Sequence, residues 1–258
     1  MSAVSATAVS SLRKRTGVSI LECKKALEEA GGDEEKAIEF LRKRGMAQAA
    51  KKAERDQSEG LIFAAEGDGS VAIVFLKCET DFVARDENFK ALGQEIAQTL
   101  LSAGADAAAK LAEEKIPAAV QKLGENISLG EMQRVEAGTL GTYIHSNGKI
   151  GVVVGLTGGS SEIAKDVAMH AAAMNPLYVR PEDVSAEAVE AEKAIWKEQL
   201  AKEGKPEQIM EKIMLGKEKK FREENALIAQ EFVKDPSKTI EQYLEGAAIE
   251  AYVRVAVG

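Results

Sequence analysis

Basic charge, aromatic rings, cysteines and long apolar runs are all scarce in this sequence, and each shortage closes off a class of function. Lysine and arginine (34) are outnumbered by aspartate and glutamate (42), leaving a formal net charge of -8. An acidic chain suits general nucleic-acid binding poorly, because phosphates need a lysine- and arginine-rich surface. Aromatic residues make up 5%, too few for a platform that stacks single-stranded bases. Direct nucleic-acid binding is therefore not expected. Cys23 and Cys78 lie far apart and form no C-x-x-C pair; two reduced, buried thiols are the expectation. No apolar run approaches the roughly 20 residues of a membrane helix. Met1 to Ser10 has neither the basic region, the apolar stretch nor the cleavage pattern of a secretory leader. A cytoplasmic chain without membrane contact is expected.

Reactive chemistry is equally thin. There is no G-x-x-x-x-G-K-[ST] phosphate loop. His145 and His170 fall in separate elements without a matching set of cysteine or acidic ligands, and no nucleophile–histidine–acid arrangement can be built from them. Gly155 to Gly159 leads into a helix start, where a structural cap is favoured over an anion site. No enzyme activity, cofactor or metal is expected.

What the chain does contain is modular. Ala6 to about Arg44 reads as three short helices: one with Val9, Leu12 and Arg13 before Thr16-Gly17; one capped by Ser19 with Glu22 three residues on; one from Asp33 with Ala37, Ile38 and Leu41 on a stripe. Ile20 and Leu21 are adjacent, about 100° apart on a helix, so either both pack inside or one faces out. Met46 to Ser58 is a polar, basic tract read as a helical or irregular linker. The period then changes. Leu61–Ala65 and Val71–Leu76 flank Gly67-Asp68-Gly69, a hairpin signal, and a helix with Phe89, Leu92, Ile96 and Leu100 follows. Ala105 to Leu123 reads as helical but broken at Pro117, and Ile127 to Ala137 as a further strand.

Hairpin and helix then recur. Thr139–Ile144 and Ile150–Leu156 flank Ser146-Asn147-Gly148, and Gly158-Gly159-Ser160-Ser161 opens a helix with Ile163, Val167, Met169 and Ala173. Val189, Trp196 and Leu200, a break at Gly204-Lys205-Pro206, and Ile209, Ile213 and Phe221 describe two antiparallel helices. Such a hairpin packs on itself or on another chain, which leaves a second copy open as a partner. A helix capped by Ser237 or Thr239 and an alternating strand over Ala251–Val255 close the chain. The fold class expected is α+β: a three-helix module at 1–45, a linker at 46–58, one subdomain at 59–137, a related one at 138–180 and 226–258, and an inserted helical hairpin at 181–225.

The junction Lys77 to Asp86, between the Val71–Leu76 run and the following helix, is chemically odd. A carboxylate, Asp81, stands beside Phe82 with no glycine or proline to make the bend. One reading is a cap at Thr80 or Asp81 with Phe82 in the core. The other is functional, because the second hairpin–helix unit has an ordinary Thr157-Gly158-Gly159-Ser160 turn at the equivalent place.

Several stretches then agree on one family. Arg13-Lys14-Arg15-Thr16-Gly17, Cys23-Lys24-Lys25-Ala26-Leu27, Thr80-Asp81-Phe82-Val83-Ala84-Arg85, Ala168-Met169-His170, Pro181-Glu182-Asp183-Val184-Ser185-Ala186 and Asp235-Pro236-Ser237-Lys238-Thr239 closely resemble the translation elongation factor Ts family, in the family's order and over essentially the whole chain. The resemblance implies that the three helices are ubiquitin-associated-like and that the helical hairpin is a coiled coil. It implies nucleotide exchange on elongation factor Tu, a GTPase: binding of the GDP form, disturbance of its magnesium and phosphate region, and release of GDP so that GTP loads. Carried over by position, Thr80, Asp81, Phe82 and Val83 form the intruding segment, Arg13, Ile20 and Leu21 an N-terminal contact patch, and His145 a contact from the core. Ile20 and Leu21 stand where the family resemblance leads one to expect two methionines, and the turn around His145 also departs from the pattern. Bacterial members often carry an extra C-terminal module; the sequence here runs to Gly258, and contacts of that module are not carried over. The competing readings are an RNA-associated protein using the basic stretch Lys36 to Arg55, and a ubiquitin-type adaptor resting on the three helices alone.

Overall fold

The computed structural model describes residues 4–202 and 207–258, with side chains at 207–209 excluded. The expected break at Gly204-Lys205-Pro206 and the side chain of Ile209 lie outside the described residues.

Three helices open the fold: α1 (Ala6–Thr16), α2 (Ile20–Glu29) and α3 (Glu34–Lys52). Each begins on a side-chain cap, from Ser5, Ser19 and Asp33. Their shared core is Val9, Leu12, Val18, Cys23, Ala26, Leu27, Ala37 and Leu41. Only half of the expected capping box forms at Ser19. Glu22 donates its backbone N–H to the Ser19 hydroxyl, while its carboxylate turns to Arg44 at 3.3 Å and Lys25 at 3.4 Å, so it ties α2 to α3 instead. The third helix does not stop near Arg44. It runs to Lys52, so Met46–Lys52 is helix and only Ala53–Ser58 is connecting chain. Ala47, Ala49 and Ala50 are strong helix formers, Ala49 packs on the next core, and Gly45 lets the helix pass close to the Pro117 carbonyl.

A first antiparallel sheet follows, β1 (Glu59–Gly67), β2 (Ser70–Cys78) and, after three helices, β3 (Ile127–Glu136), in the order β1-β2-β3. The intervening helices are α4 (Asp81–Ala84), α5 (Glu87–Ala103) and α6 (Ala105–Leu123). The continuous apolar run of β2 has a reason: both its faces are covered. Ala72, Val74, Leu76 and Cys78 pack under α5 and α6 with Phe89, Leu92, Ile96 and Leu100. Val71, Ile73 and Phe75 point the other way, toward the second sheet. The expected break at Pro117 does not occur, and α6 passes through it. Proline removes one backbone hydrogen bond, and the burial of Ala112 and Val120 on either side outweighs that loss.

The second sheet has the order β4 (Thr139–Ile144), β5 (Ile150–Thr157), β8 (Ala248–Ala256). Between β5 and β8 the chain forms α7 (Ser161–Met174), α8 (Ala186–Lys202), α9 (Glu207–Asn225), a small ladder of β6 (Glu231–Phe232) and β7 (Asp235–Thr239), and α10 (Ile240–Tyr243), capped by Thr239 rather than Ser237. α8 and α9 lie against each other, with Trp196 and Phe221 edge to face at 5.8 Å and Lys193 bonded to Glu218 at 2.9 Å. The face that α7 buries differs from the expected stripe. Ala164, Val167, Ala168 and Ala171 go inward, whereas Met169 is half-buried and Ala173 exposed. Small residues win here because they bring the helix backbone almost into contact with Gly141 of β4. Inter-sheet packing by Ile62, Ile73, Phe75, Val153 and Val255 joins the two halves.

His170, on the buried face of α7, is wholly buried and acts in this packing. Its Nδ1 accepts the Val233 N–H at 3.3 Å, so Nε2 carries the proton and donates to the Gln230 side-chain oxygen at 3.0 Å. Burial lowers its pKa below the ordinary 6.5, against the raising effect of the Gln230 bond. Below pH 6.5 the unfolded chain therefore takes up a proton that the folded chain resists, and stability falls as pH drops. Urea unfolding between about pH 8 and about pH 5.5 should show this slope in the wild type and a flatter one in His170→Gln; equal slopes would refute it.

Candidate functional site

The β2–α4 junction is built to hold a short turn rigidly. Thr80 caps α4: its hydroxyl accepts from the Val83 N–H at 3.4 Å and donates to a Glu125 oxygen at 2.6 Å, and its N–H reaches the other Glu125 oxygen at 3.0 Å. One residue back, Glu79 accepts from the Asn126 N–H at 2.6 Å and from Arg55 at 3.4 Å. Cys78 bonds to the Thr80 carbonyl at 3.2 Å. Burial, with the negative charges of Glu125 and Glu59 adding to it, pushes that thiol up to about 12, so it is a structural group and not a nucleophile at neutral pH.

On this anchored turn the side chains divide sharply. Val83 and Ala84 enter the core beside Phe89 and Leu92. Phe82 points out and is 80% exposed. Asp81 is half-buried and pairs with Arg85, one turn on, at 2.8 Å. The cap reading of the sequence is right for Thr80, and the core reading is wrong for Phe82. Val83, expected to be part of the contact segment, is a core residue. In a one-turn helix, consecutive residues point about 100° apart, so Phe82 and Val83 cannot share a direction.

The other expected residues are exposed as well. Ile20 and Leu21 are 57% and 59% exposed, so both face out, and Arg13 is exposed on the last turn of α1. The core of the three helices is filled by Cys23, Ala26 and Leu27 instead. Contacts lead from Gly17, between α1 and α2, to the start of α5. A Cβ on Gly17 would sit 2.6 Å from the Lys122 ammonium. Lys122 in turn donates to Asn88 at 2.6 Å, and Asn88 donates to Asp86, the cap of α5. Burial opposes the charge on Asp86, but the Asn88 bonds outweigh it and hold the carboxyl below its ordinary range.

His145 lies just after β4. It is exposed, bonded through Nδ1 to the Tyr143 hydroxyl at 3.0 Å, and lies in the β4–β5 turn. That turn is tied to β1 by the Ile62 N–H to Gly148 carbonyl bond at 2.8 Å and by Lys149 to Glu59 at 2.6 Å. A cleft of about 520 Å³ separates Asp81, Ala84 and Arg85 from Ser146, Asn147 and Gly148. The structure thus sets the β4–β5 turn across a cleft from the junction, leaves Arg13, Ile20, Leu21 and His145 exposed, and buries Val83. Glu125, Asn126 and Lys122 escaped the sequence reading because their partners are tens of residues away and no local pattern marks them.

Among the described residues no group of three or more histidine, cysteine or acidic side chains is placed to hold a metal ion, and no helix is long and apolar enough to cross a membrane. The fold and site together describe an α+β protein that displays one anchored, outward-facing aromatic residue. Comparison with known proteins gives this class a family. The family model described as "Elongation factor TS" matches residues 79–258. The chain is 47% identical to the elongation factor Ts of Aeromonas hydrophila, covering 100% of this chain and 92% of that one. It is 48% identical to that of Teredinibacter turnerae (99% and 91%) and 45% identical to that of Francisella tularensis subsp. novicida (100% and 93%). The chain belongs to the elongation factor Ts family and is a translation elongation factor.

Proposed function

We propose that this chain binds elongation factor Tu in its GDP form and speeds GDP release, with Phe82 as a wedge pressed into the GTPase near its magnesium and phosphate-binding region. The observation that carries this reading is the contrast on α4: Phe82 stands almost free in solvent while Val83 and Ala84, its neighbours, are locked in the core. A large apolar ring held out at no gain to the fold is the profile of an interface anchor. Nucleotide release breaks no covalent bond, so the protein supplies a shape that fits the partner better when the phosphate contacts are disturbed, with Asp81 competing for local hydrogen bonds. Arg13, Ile20 and Leu21 extend the contact from the three helices, read as a ubiquitin-associated-like module, and His145 extends it from the β4–β5 turn. α8 and α9 are read as a coiled-coil hairpin.

The coupling is reciprocal: a factor that weakens GDP binding must itself be weakened by GDP to the same degree. Release of a fluorescent GDP from elongation factor Tu should accelerate on adding this protein, and excess GDP should dissociate the complex. Release at the unassisted rate would refute the proposal.

A further inference from the structure

We infer that Glu125 is a positioning residue for Phe82. The inference rests on the reading of Phe82 as the wedge. Glu125 lies in the short loop between α6 and β3, and its described side-chain hydrogen bonds both go to one residue: the Thr80 N–H at 3.0 Å and the Thr80 hydroxyl at 2.6 Å. Two bonds from one carboxylate fix both the backbone and the side chain of the residue that caps α4. With its donor committed to Glu125, the Thr80 hydroxyl offers a lone pair to the Val83 N–H at 3.4 Å. This fixes the start of a helix only four residues long, too short to hold its own direction, and Phe82 is its second residue.

The loop that carries Glu125 is itself fixed from the far side. Asn126 is buried; its side-chain amide donates to the Arg55 carbonyl at 3.0 Å and the Ala53 carbonyl at 3.4 Å, and its N–H donates to Glu79 at 2.6 Å. Lys52, at the end of α3, donates to the Gly124 carbonyl. The end of α3, the α6–β3 loop and the junction are therefore one polar knot, and Glu125 is the member that reaches the wedge. Charge is not its purpose, since the groups that it binds are neutral; its two acceptor oxygens are.

The test measures fluorescent GDP release from elongation factor Tu at saturating amounts of wild type, E125A, E125Q, F82A and F82A/E125A. E125A should release GDP about ten-fold more slowly than wild type. E125Q should fall between them, because its amide oxygen still accepts from the Thr80 hydroxyl. The double variant should be no slower than F82A, because Glu125 acts only through the ring already removed. A merely structural role would instead multiply the two losses, and that result, or an E125A as fast as wild type, would overturn the inference while leaving the wedge in place. An F82A as fast as wild type would overturn both. Should E125A not fold, E125Q and F82A/E125Q take its place in the same cycle.

Discussion

Replacing Phe82 by alanine should lower the rate of GDP release from elongation factor Tu by about 30-fold or more, because a central aromatic anchor is worth about 2 kcal/mol or more on truncation. The same substitution should leave the unfolding midpoint where it was. The ring is 80% exposed, so its removal empties no core, and the cap bond from Thr80 to Val83 uses backbone and hydroxyl groups only. Leucine at this position should restore part of the rate, since it keeps apolar volume but loses the flat, rigid ring. Stopped-flow release at saturating factor separates the two effects: a loss at saturation belongs to the step in which the ring enters the partner, whereas a loss recovered by more protein belongs to encounter. An alanine variant that releases GDP as fast as the wild type would sink the wedge.

How far the sequence anticipates this depends on the length of the element concerned. The strands and α5 are legible because their apolar residues repeat over enough positions to show a period, and β2 shows its double burial as an unbroken apolar run. Met46–Lys52 is open between helix and irregular linker because it shows no apolar stripe, and Pro117 argues locally against a helix that packing then imposes. On α7 the small alanines, not the larger Met169, turned out to face the sheet, a choice made by the distance between elements rather than by hydrophobicity. The candidate site is the extreme case. α4 has four residues, fewer than any period can be read from, so the outward direction of Phe82 and the inward direction of Val83 were beyond pattern. Glu125 meets Thr80 across 45 positions, a pairing only the folded chain displays.

Gly141→Ala should be the most destabilising single-methyl addition in the second sheet, costing about 3 kcal/mol or more, at the upper end of overpacking penalties. A Cβ at this position of β4 would lie 2.2 Å from the Ala164 carbonyl carbon and 2.2 Å from the Lys165 nitrogen. These are backbone atoms of α7, so no side-chain rotation can relieve the overlap; the helix itself must move. It cannot move freely, because Val167, Ala168 and Ala171 are buried beside Val152, Val154 and Leu156, and His170 is bonded to both Gln230 and Val233. Urea unfolding should therefore show a lower midpoint with an unchanged slope, the sign of lost stability rather than altered compactness. Gly138→Ala is the matched control: its Cβ would meet nothing closer than the Leu156 carbonyl at 3.8 Å, and the Gly138 N–H that donates to Glu250 at 3.1 Å is retained. If both variants unfolded at the wild-type midpoint, the close approach of β4 and α7 would not be what holds this half of the fold. If only Gly141→Ala falls, the alanine face of α7 and the glycine of β4 form one packing unit.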